Sequence, residues 1–510
     1  MRDRDCPAAV SGNDDCKSAL GTAPDLDPAV NGSWEAVVGR PNGPGDPARC
    51  PRVRKPAVGA RIADPCVVGS RGKIADTLPT TIRRTGVAVG LPASAVCTRS
   101  SPYMINKLLH RTPGKAAMAL VAIVTTLAAT ACGVVGSSPA PGVAPSSGSP
   151  GCISDFDPKT DYFGVKQKLE YATNFDISYH KSYQVITVQR PEVGGKPESY
   201  VLVKCGAPKP DLTGELAEAP QLSTPVHSLF SASTTHIPSL EALGQLDVLT
   251  GVASKSLINS AAARSRVAGD QVTEFAPAGT ADAEKIVASQ PDALITAGMD
   301  DPAYATVRKA GIPVLADAEY LERTPLGQAE WIKFFAALTG TEQRAAETFD
   351  TIAGDYRTAV NKAAKADPTE VLLSQPYQGV WTMPTGGTVM GKMITDAGGS
   401  WAWQSDTSPS SASPDLEQVF TKSGKAKIWI TSTNWKTRKE ALADEPRFAQ
   451  LAAYKSGAIW APSKQVNAAG GNNIFELGVL RPDLVVGDLI AITHPDLEPG
   501  HRFTFYRKLK

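Results

Sequence analysis

The chain lacks the usual signatures of catalysis. It has no GxSxG, no HExxH, no Walker A run and no GxGxxG between a strand and a helix, so no nucleophile elbow, zinc-protease helix or phosphate-binding loop is nominated. Histidine is scarce, with six in 510 residues. Those in the later part (His180, His227, His236, His494 and His501) never pair at i, i+4, and no metal site is read from them. Neither sign of charge is in excess: 52 Lys+Arg against 51 Asp+Glu leave a net charge of +1. Nothing global therefore argues for nucleic acid or an acidic partner. Aromatics are only 6%. Most of the tryptophans lie after residue 330, which fits either a ligand-facing region or a lobe with a heavier core.

What is present divides the chain into unlike parts. Residues 1–103 are rich in Pro, Gly and scattered Arg and show no sustained period. They read as disordered or as an over-extended start, because such a composition offsets little of its ordering entropy by burial. Residues 104–131 read as an export signal. Lys107, Arg111 and Lys115 precede an apolar run, Ala116–Ala129, too short for a mature membrane span. The run ends in Ala129-Thr130-Ala131-Cys132, which resembles a bacterial lipobox with Cys132 as the lipidated residue. Ala129 departs from the Leu usual at that position, and plain signal cleavage is the alternative. Acylation with two or three chains would anchor the protein stably, where one chain would not. Residues 132–151 form a Gly/Ser/Pro tether. Beyond it only Cys152 and Cys205 remain, and an exported chain most simply pairs them as a disulfide.

The body from Cys152 onward opens with strand-like alternation over Asp176–Gln189, a turn-rich RPEVGGKP, and an answering Tyr200–Lys204, read as a hairpin. Strand–helix units follow: strands over Ser228–Ala232, Val248–Val252, Asp292–Thr296 and Pro313–Ala316, helices over Pro238–Leu243 and Glu284–Ser289. This alternation predicts a mostly parallel sheet. Thr341–Lys365 then carries one apolar stripe at helical spacing, opened by Thr341 and stopped by Pro368. Further strands over Val371–Ser374, Lys427–Thr431 and Ala458–Ala461 predict a second α/β lobe. The expected domains are 152–340, an interlobe helix 341–367, and 368–510.

These stretches resemble the class III substrate-binding proteins of ABC importers, the group serving iron-siderophores, haem and cobalamin. The resemblance is carried by STTHIPSLEALGQLDVLTGV (233–252), AEKIVASQPDALIT (283–296), TPLGQAEWIKFFAALTG (324–340), MITDAGG (393–399), SPDLEQVF (413–420) and RPDLVVGDLI with HPDL (481–497). It implies an α/β fold of two lobes, each with a central sheet, joined by one long helix. It also implies a non-enzyme that delivers its guest to a permease and its ATPase subunits from the outer face of the cell membrane. Glu284 and Glu417, one per lobe, fall where the family docks on arginine pockets of the permease.

Ligands of open α/β sheets sit off the carboxyl ends of strands. That rule nominates Ser233, Thr235, His236, Met299 and Asp300 from the first lobe, and Tyr377, Trp381, Asn434 and Trp435 from the second. The turn Gly470-Gly471-Asn472-Asn473 is expected to close over them. Aromatic faces with a few amide and hydroxyl donors suit a large, flat, partly apolar guest. A ferric siderophore leads, with haem next (His236 or Tyr377 as axial ligand) and cobalamin after it. No cofactor of the protein's own and no metal site are expected. A haem-binding lipoprotein and a non-transport envelope receptor are the alternatives.

Overall fold

The computed structural model describes residues 152–377 and 379–510. The expected segments 1–103, 104–131 and 132–151, and Cys132 with them, lie outside the described residues.

Four strands come first: β1 (Phe175–Tyr179), β2 (Tyr183–Val188), β3 (Glu198–Lys204) and β4 (Gln221–Thr224). They form one sheet in that order, antiparallel except for the parallel pair β3/β4. The sequence alternation reads Asp176–Gln189 as one strand, but the chain turns at His180–Ser182. There the His180 N–H donates to Tyr183 O at 2.8 Å, and three polar residues close the turn. Ile186, Val188, Tyr200 and Leu202 face the main core, while Val185, Val201 and Val203 pack beneath Leu212 and Leu216. A Cys152–Cys205 disulfide with a separation of 53 residues ties the first described residue to the end of β3. Closing a loop of that size stabilises by roughly 4 kcal/mol in the chain-entropy account.

The first lobe follows: β5 (Leu229–Ser231), α1 (Ile237–Ala242), β6 (Leu249–Val252), α2 (Ala261–Val267), β7 (Thr273–Glu274), α3 (Ala283–Ser289), β8 (Ala293–Thr296), α4 (Pro302–Lys309) and β9 (Val314–Ala316). Its sheet is wholly parallel, in the order β7-β6-β5-β8-β9. β5, β8 and β9 are buried along their whole length, as strands covered on both faces must be. Ser260, Asp282 and Asp301 each cap the helix that follows by accepting a backbone N–H.

Two short helices, α5 (Pro325–Ala329) and α6 (Ile332–Thr339), lead into α7 (Glu342–Ala363). The 22 residues of α7 span roughly 33 Å. Ala345, Phe349, Ile352, Ala353, Tyr356 and Ala363 bury one face of it, and it packs on α6 and on a helix of the second lobe. Thr341 holds the N-cap position without a capping bond; its hydroxyl pairs instead with that of Thr339 at 2.8 Å.

The second lobe comprises β10 (Thr369–Leu373), β11 (Pro376–Tyr377), β12 (Val380–Trp381), α8 (Val389–Asp396), β13 (Gly399–Ser400), α9 (Leu416–Ser423), β14 (Ile428–Ile430), α10 (Arg438–Asp444), α11 (Ala452–Ser456), β15 (Ile459–Ala461), α12 (Asn473–Leu480), α13 (Pro482–Thr493) and β16 (Arg507–Lys508). Its sheet runs β13-β10-β14-β15-β16, parallel except for β16. The helix of this lobe that carries α7 is α13. Among the described residues no helix is long and apolar enough to cross a membrane.

Irregular chain is pinned by buried carboxylates. Glu330, fully buried, accepts from the backbone N–H groups of Glu170, Tyr171 and Ala172 and pairs with Lys333 at 2.7 Å. Glu322 accepts from Thr173 and Asn174 N–H and from the Trp331 indole. Replacing Glu330 with Gln would leave the buried Lys333 ammonium without its counter-charge and turn an amide N–H₂ toward N–H donors. We expect Glu330→Gln to lose about 3 kcal/mol in urea denaturation; a loss below about 1 kcal/mol would remove this role.

Candidate functional site

Sheet order nominates a site. In the first lobe successive strands run outward from β5 on one side, then return to its other side at β8. In the second lobe the same reversal falls between β10 and β14. Such switch points open a crevice at the carboxyl ends of their strands. The loops concerned are Ala232–His236 and Ala297–Asp301 in one lobe, and Ser374–Trp381 and Thr431–Trp435 in the other.

α12 joins the two sets of loops. It packs on α1 and on the 234–236 turn of the first lobe, while Asn472 at its N-cap donates to Asn434 Oδ1 at 2.9 Å. Beside it, Asn467 Nδ2 donates to Ser256 O and Ile258 O at 3.0 and 3.2 Å. Glu476 accepts the N–H groups of Asn259 and Ser260 at 2.6 and 2.7 Å. Gly471 passes so near Leu257 that a Cβ on it would stand 2.0 Å from the Leu257 carbonyl oxygen. The lobes are thus tied along one side. Burial pushes the Glu476 carboxyl upward, against the two N–H groups that favour its charged form.

The nominated residues divide sharply in this frame. Met299 and Tyr377 are exposed, at 45% and 52%. Thr235 and Asn434 are half-buried. Trp381 and Trp435 are core residues, contrary to the expectation for them. The Trp381 indole donates to Leu373 O at 3.0 Å and that of Trp435 to Asp444 Oδ2 at 2.8 Å, and with Trp429 and Phe448 the two form one aromatic cluster. The tryptophan-rich half is therefore a heavier core. Ser233 is buried and accepts from Thr235 N–H. Asn472 and Asn473 are also buried: the first caps α12, the second donates to Gln465 Oε1 at 2.9 Å. Their turn is part of the interlobe tie rather than a cover over a guest. Sequence reasoning missed Val380, Asn467 and Glu476. Only Glu476 left a signal, as a lone acid in the apolar run NIFELGVL.

His236 is also corrected. It is wholly buried beneath the first lobe's loops, its Nδ1 2.9 Å from Ser231 Oγ and its Nε2 3.6 Å from Asp317 Oδ2. Ser231 donates onward to Ser233 O at 2.8 Å, so Nδ1 carries the ring proton and Nε2 turns its lone pair toward Asp317. The order serine–histidine–aspartate resembles a catalytic triad. Ser231 and Asp317 are as buried as the histidine, and the triad has no reactant-facing atom. No axial ligand comes from this ring. Among the described residues no three His, Cys, Asp or Glu side chains group to hold a metal ion.

Glu284 and Glu417 are exposed in the first turns of α3 and α9. Arg447, held by Glu445, stands 3.5 Å from Glu417. A separate cavity of about 540 Å³ at the start of α7 is lined by Phe163, Lys204, Glu342, Arg344 and Glu347. It contains none of the nominated residues.

Residues 230–464, which span both lobes, match the family described as periplasmic binding protein. An uncharacterized lipoprotein of Methanocaldococcus jannaschii is 29% identical over 233 residues, 44% of this chain and 53% of that protein. The chain thus matches about half the length of that relative. A possible iron-binding (periplasmic solute-binding) protein of Staphylococcus epidermidis is 17% identical at TM-score 0.42, covering 53% of this chain and 100% of that one. A periplasmic heme-binding protein of Pseudomonas aeruginosa is 19% identical at TM-score 0.43, covering 56% and 98%. The folded body has the two-lobe class III binding-protein fold that the motifs imply. Over residues 230–464 the chain resembles the periplasmic binding proteins.

Burial holds the His236 pKa down to about 3. The unfolded ring takes its proton near the ordinary 6.5, which the fold refuses. Its contribution to stability is complete above pH 6.5 and is lost as pH falls toward 3, by up to ~1.4 kcal/mol per unit. Asp317, raised by burial and then by Glu319 and Glu322, runs the other way: its contribution fades as pH rises above the ordinary carboxylate range. The two are separated by substitution. Between pH 7 and 4, the stability advantage of the parent over His236→Asn should shrink in urea melts. A constant difference would show that the ring is charged in the fold.

Proposed function

We propose that this chain is the lipid-anchored substrate-binding component of an ABC importer, capturing an iron-siderophore or related chelate and delivering it to the permease. One observation carries the reading. α12 packs on the 234–236 turn of one lobe and reaches Asn434 of the other through Asn472, and the strand-end loops of the two lobes expose Met299, Tyr377 and Val380 and include the neutral donors Thr235, Ser432, Thr433 and Asn434. Apolar surface with a few uncharged hydrogen-bonding groups favours a chelate whose metal charge is already neutralised by its own donors. Haem is the second reading, with Tyr377 as the axial oxygen donor. Lipidation at Cys132 would hold the body at the outer face of the membrane, and docking would use Glu284 and Glu417.

Calorimetric titration with a ferric trihydroxamate, haemin and cyanocobalamin tests the guest. We expect one of them to bind with micromolar or tighter Kd; binding of none would overturn the reading. Reversing both acids, Glu284→Lys with Glu417→Lys, should abolish uptake in cells while Kd stays within about twofold. Uptake that survives would instead indicate a receptor without a permease.

A further inference from the structure

We infer that the tip of the β2–β3 hairpin, Pro191–Lys196, is a third wall of the guest site and contacts an apolar arm or ring edge of the guest, an inference that rests on the proposed carrier function. The tip lies outside residues 230–464, the segment that matches the binding-protein family, yet it is built against the first lobe's switch-point loop. At the junction Gly298 has a φ of +66°. A Cβ there would come within 2.7 Å of the Tyr320 ring and 3.1 Å of Pro191 O. Only a residue without a side chain lets the hairpin and the loop after β8 meet this closely.

The junction is also fastened. The Tyr320 hydroxyl donates to Gly298 O at 2.9 Å. Arg190 donates through Nη2 to Leu321 O at 2.9 Å and through Nε to Asn174 Oδ1 at 3.2 Å. Asn174 returns hydrogen bonds to Arg190 O and Ala318 O at 3.0 and 3.2 Å. A hairpin crossed by so many long-range bonds is positioned, not merely passing.

What it presents beyond that junction is apolar. Val193 is 49% exposed, two residues from Pro191, and Met299 is 45% exposed, next to Gly298. Together with Tyr377 and Val380 they make four of the five large hydrophobic side chains exposed among the described residues. Exposed apolar surface is therefore gathered at the strand-end loops and this tip, where scattered singles would carry no meaning. Glu192 and Lys196 flank Val193 with opposite charges, and Arg190 is occupied by Asn174 and Leu321. Within Pro191–Lys196 the two charges are of opposite sign, and Arg190 beside them keeps its charge with Nε and Nη2 turned to Asn174 and Leu321, so the tip's contact for a guest is the apolar Val193.

The test compares Val193→Glu, exposed and so tolerated by the fold, with Val165→Glu at a 36% exposed site outside the strand-end loops. Both are titrated with whichever of ferric trihydroxamate, haemin or cyanocobalamin the parent chain binds. Val193→Glu should weaken binding at least fivefold while Val165→Glu stays within twofold. Val193→Glu within twofold of the parent, with the parent binding, would overturn the third wall and leave the carrier reading standing. A parent that binds none of the three would overturn both.

Discussion

Buried carboxylates that accept backbone N–H groups hold this molecule together where no sheet or helix does. An irregular segment cannot pair its amides along a ladder, and a buried unpaired N–H costs about as much as a lost hydrogen bond. One ionised carboxylate offers up to four acceptor sites and so can satisfy a whole run of such donors. Glu330 and Glu322 do this for Glu170–Asn174. Asp488 does it for Thr504, Phe505 and Tyr506, with His501 also on its Oδ1. Removing such an acid strands several amides at once, whereas removing any one donor strands little.

The same device ties the two lobes together. Glu476 accepts the two N–H groups that open α2, across the boundary between lobes, and Asn467 binds the carbonyl groups just before them. With α7 packed on both α6 and α13, the lobes are joined along a long helix and again beside the strand ends. Two separate attachments resist rotation far better than one. On the proposed carrier reading, discrimination between guests would then fall on side chains at the strand ends rather than on a large closure.

Local periodicity made much of the architecture legible. The α7 stripe at positions 345, 349, 352, 353, 356 and 363 is written in consecutive turns, and the parallel strands appear as short apolar runs. Side-chain direction within the loops was not legible. In the β11–β12 hairpin, Tyr377 pairs with Val380 and Pro376 with Trp381. Neighbouring positions point to opposite faces, so Tyr377 and Val380 face out while Trp381 enters the core. The rule for strand ends finds the loop; the pairing register decides which residue faces a guest. The carboxylate clasps were illegible for a different reason. Glu330 and the amides it holds are about 160 residues apart, beyond any local pattern, and Glu476 alone stood out because its neighbours are apolar.

The buried histidine under the first lobe bears on the kind of guest. Burial disfavours the charged forms of both His236 and Asp317, and the neighbouring Glu319 and Glu322 raise Asp317 further. Thr235, Ser432, Thr433 and Asn434 at the rim are uncharged, and the exposed residue beside Met299 is an acid, Asp300. A strongly anionic guest entering such a site would shed water without meeting a counter-charge, and that desolvation would cost several kcal/mol. A guest whose ligands already balance its metal meets no such penalty and gains from Met299, Tyr377 and Val380. A lining that offers neutral donors and acids but no cation therefore disfavours a polyanionic chelate more than it attracts any one shape.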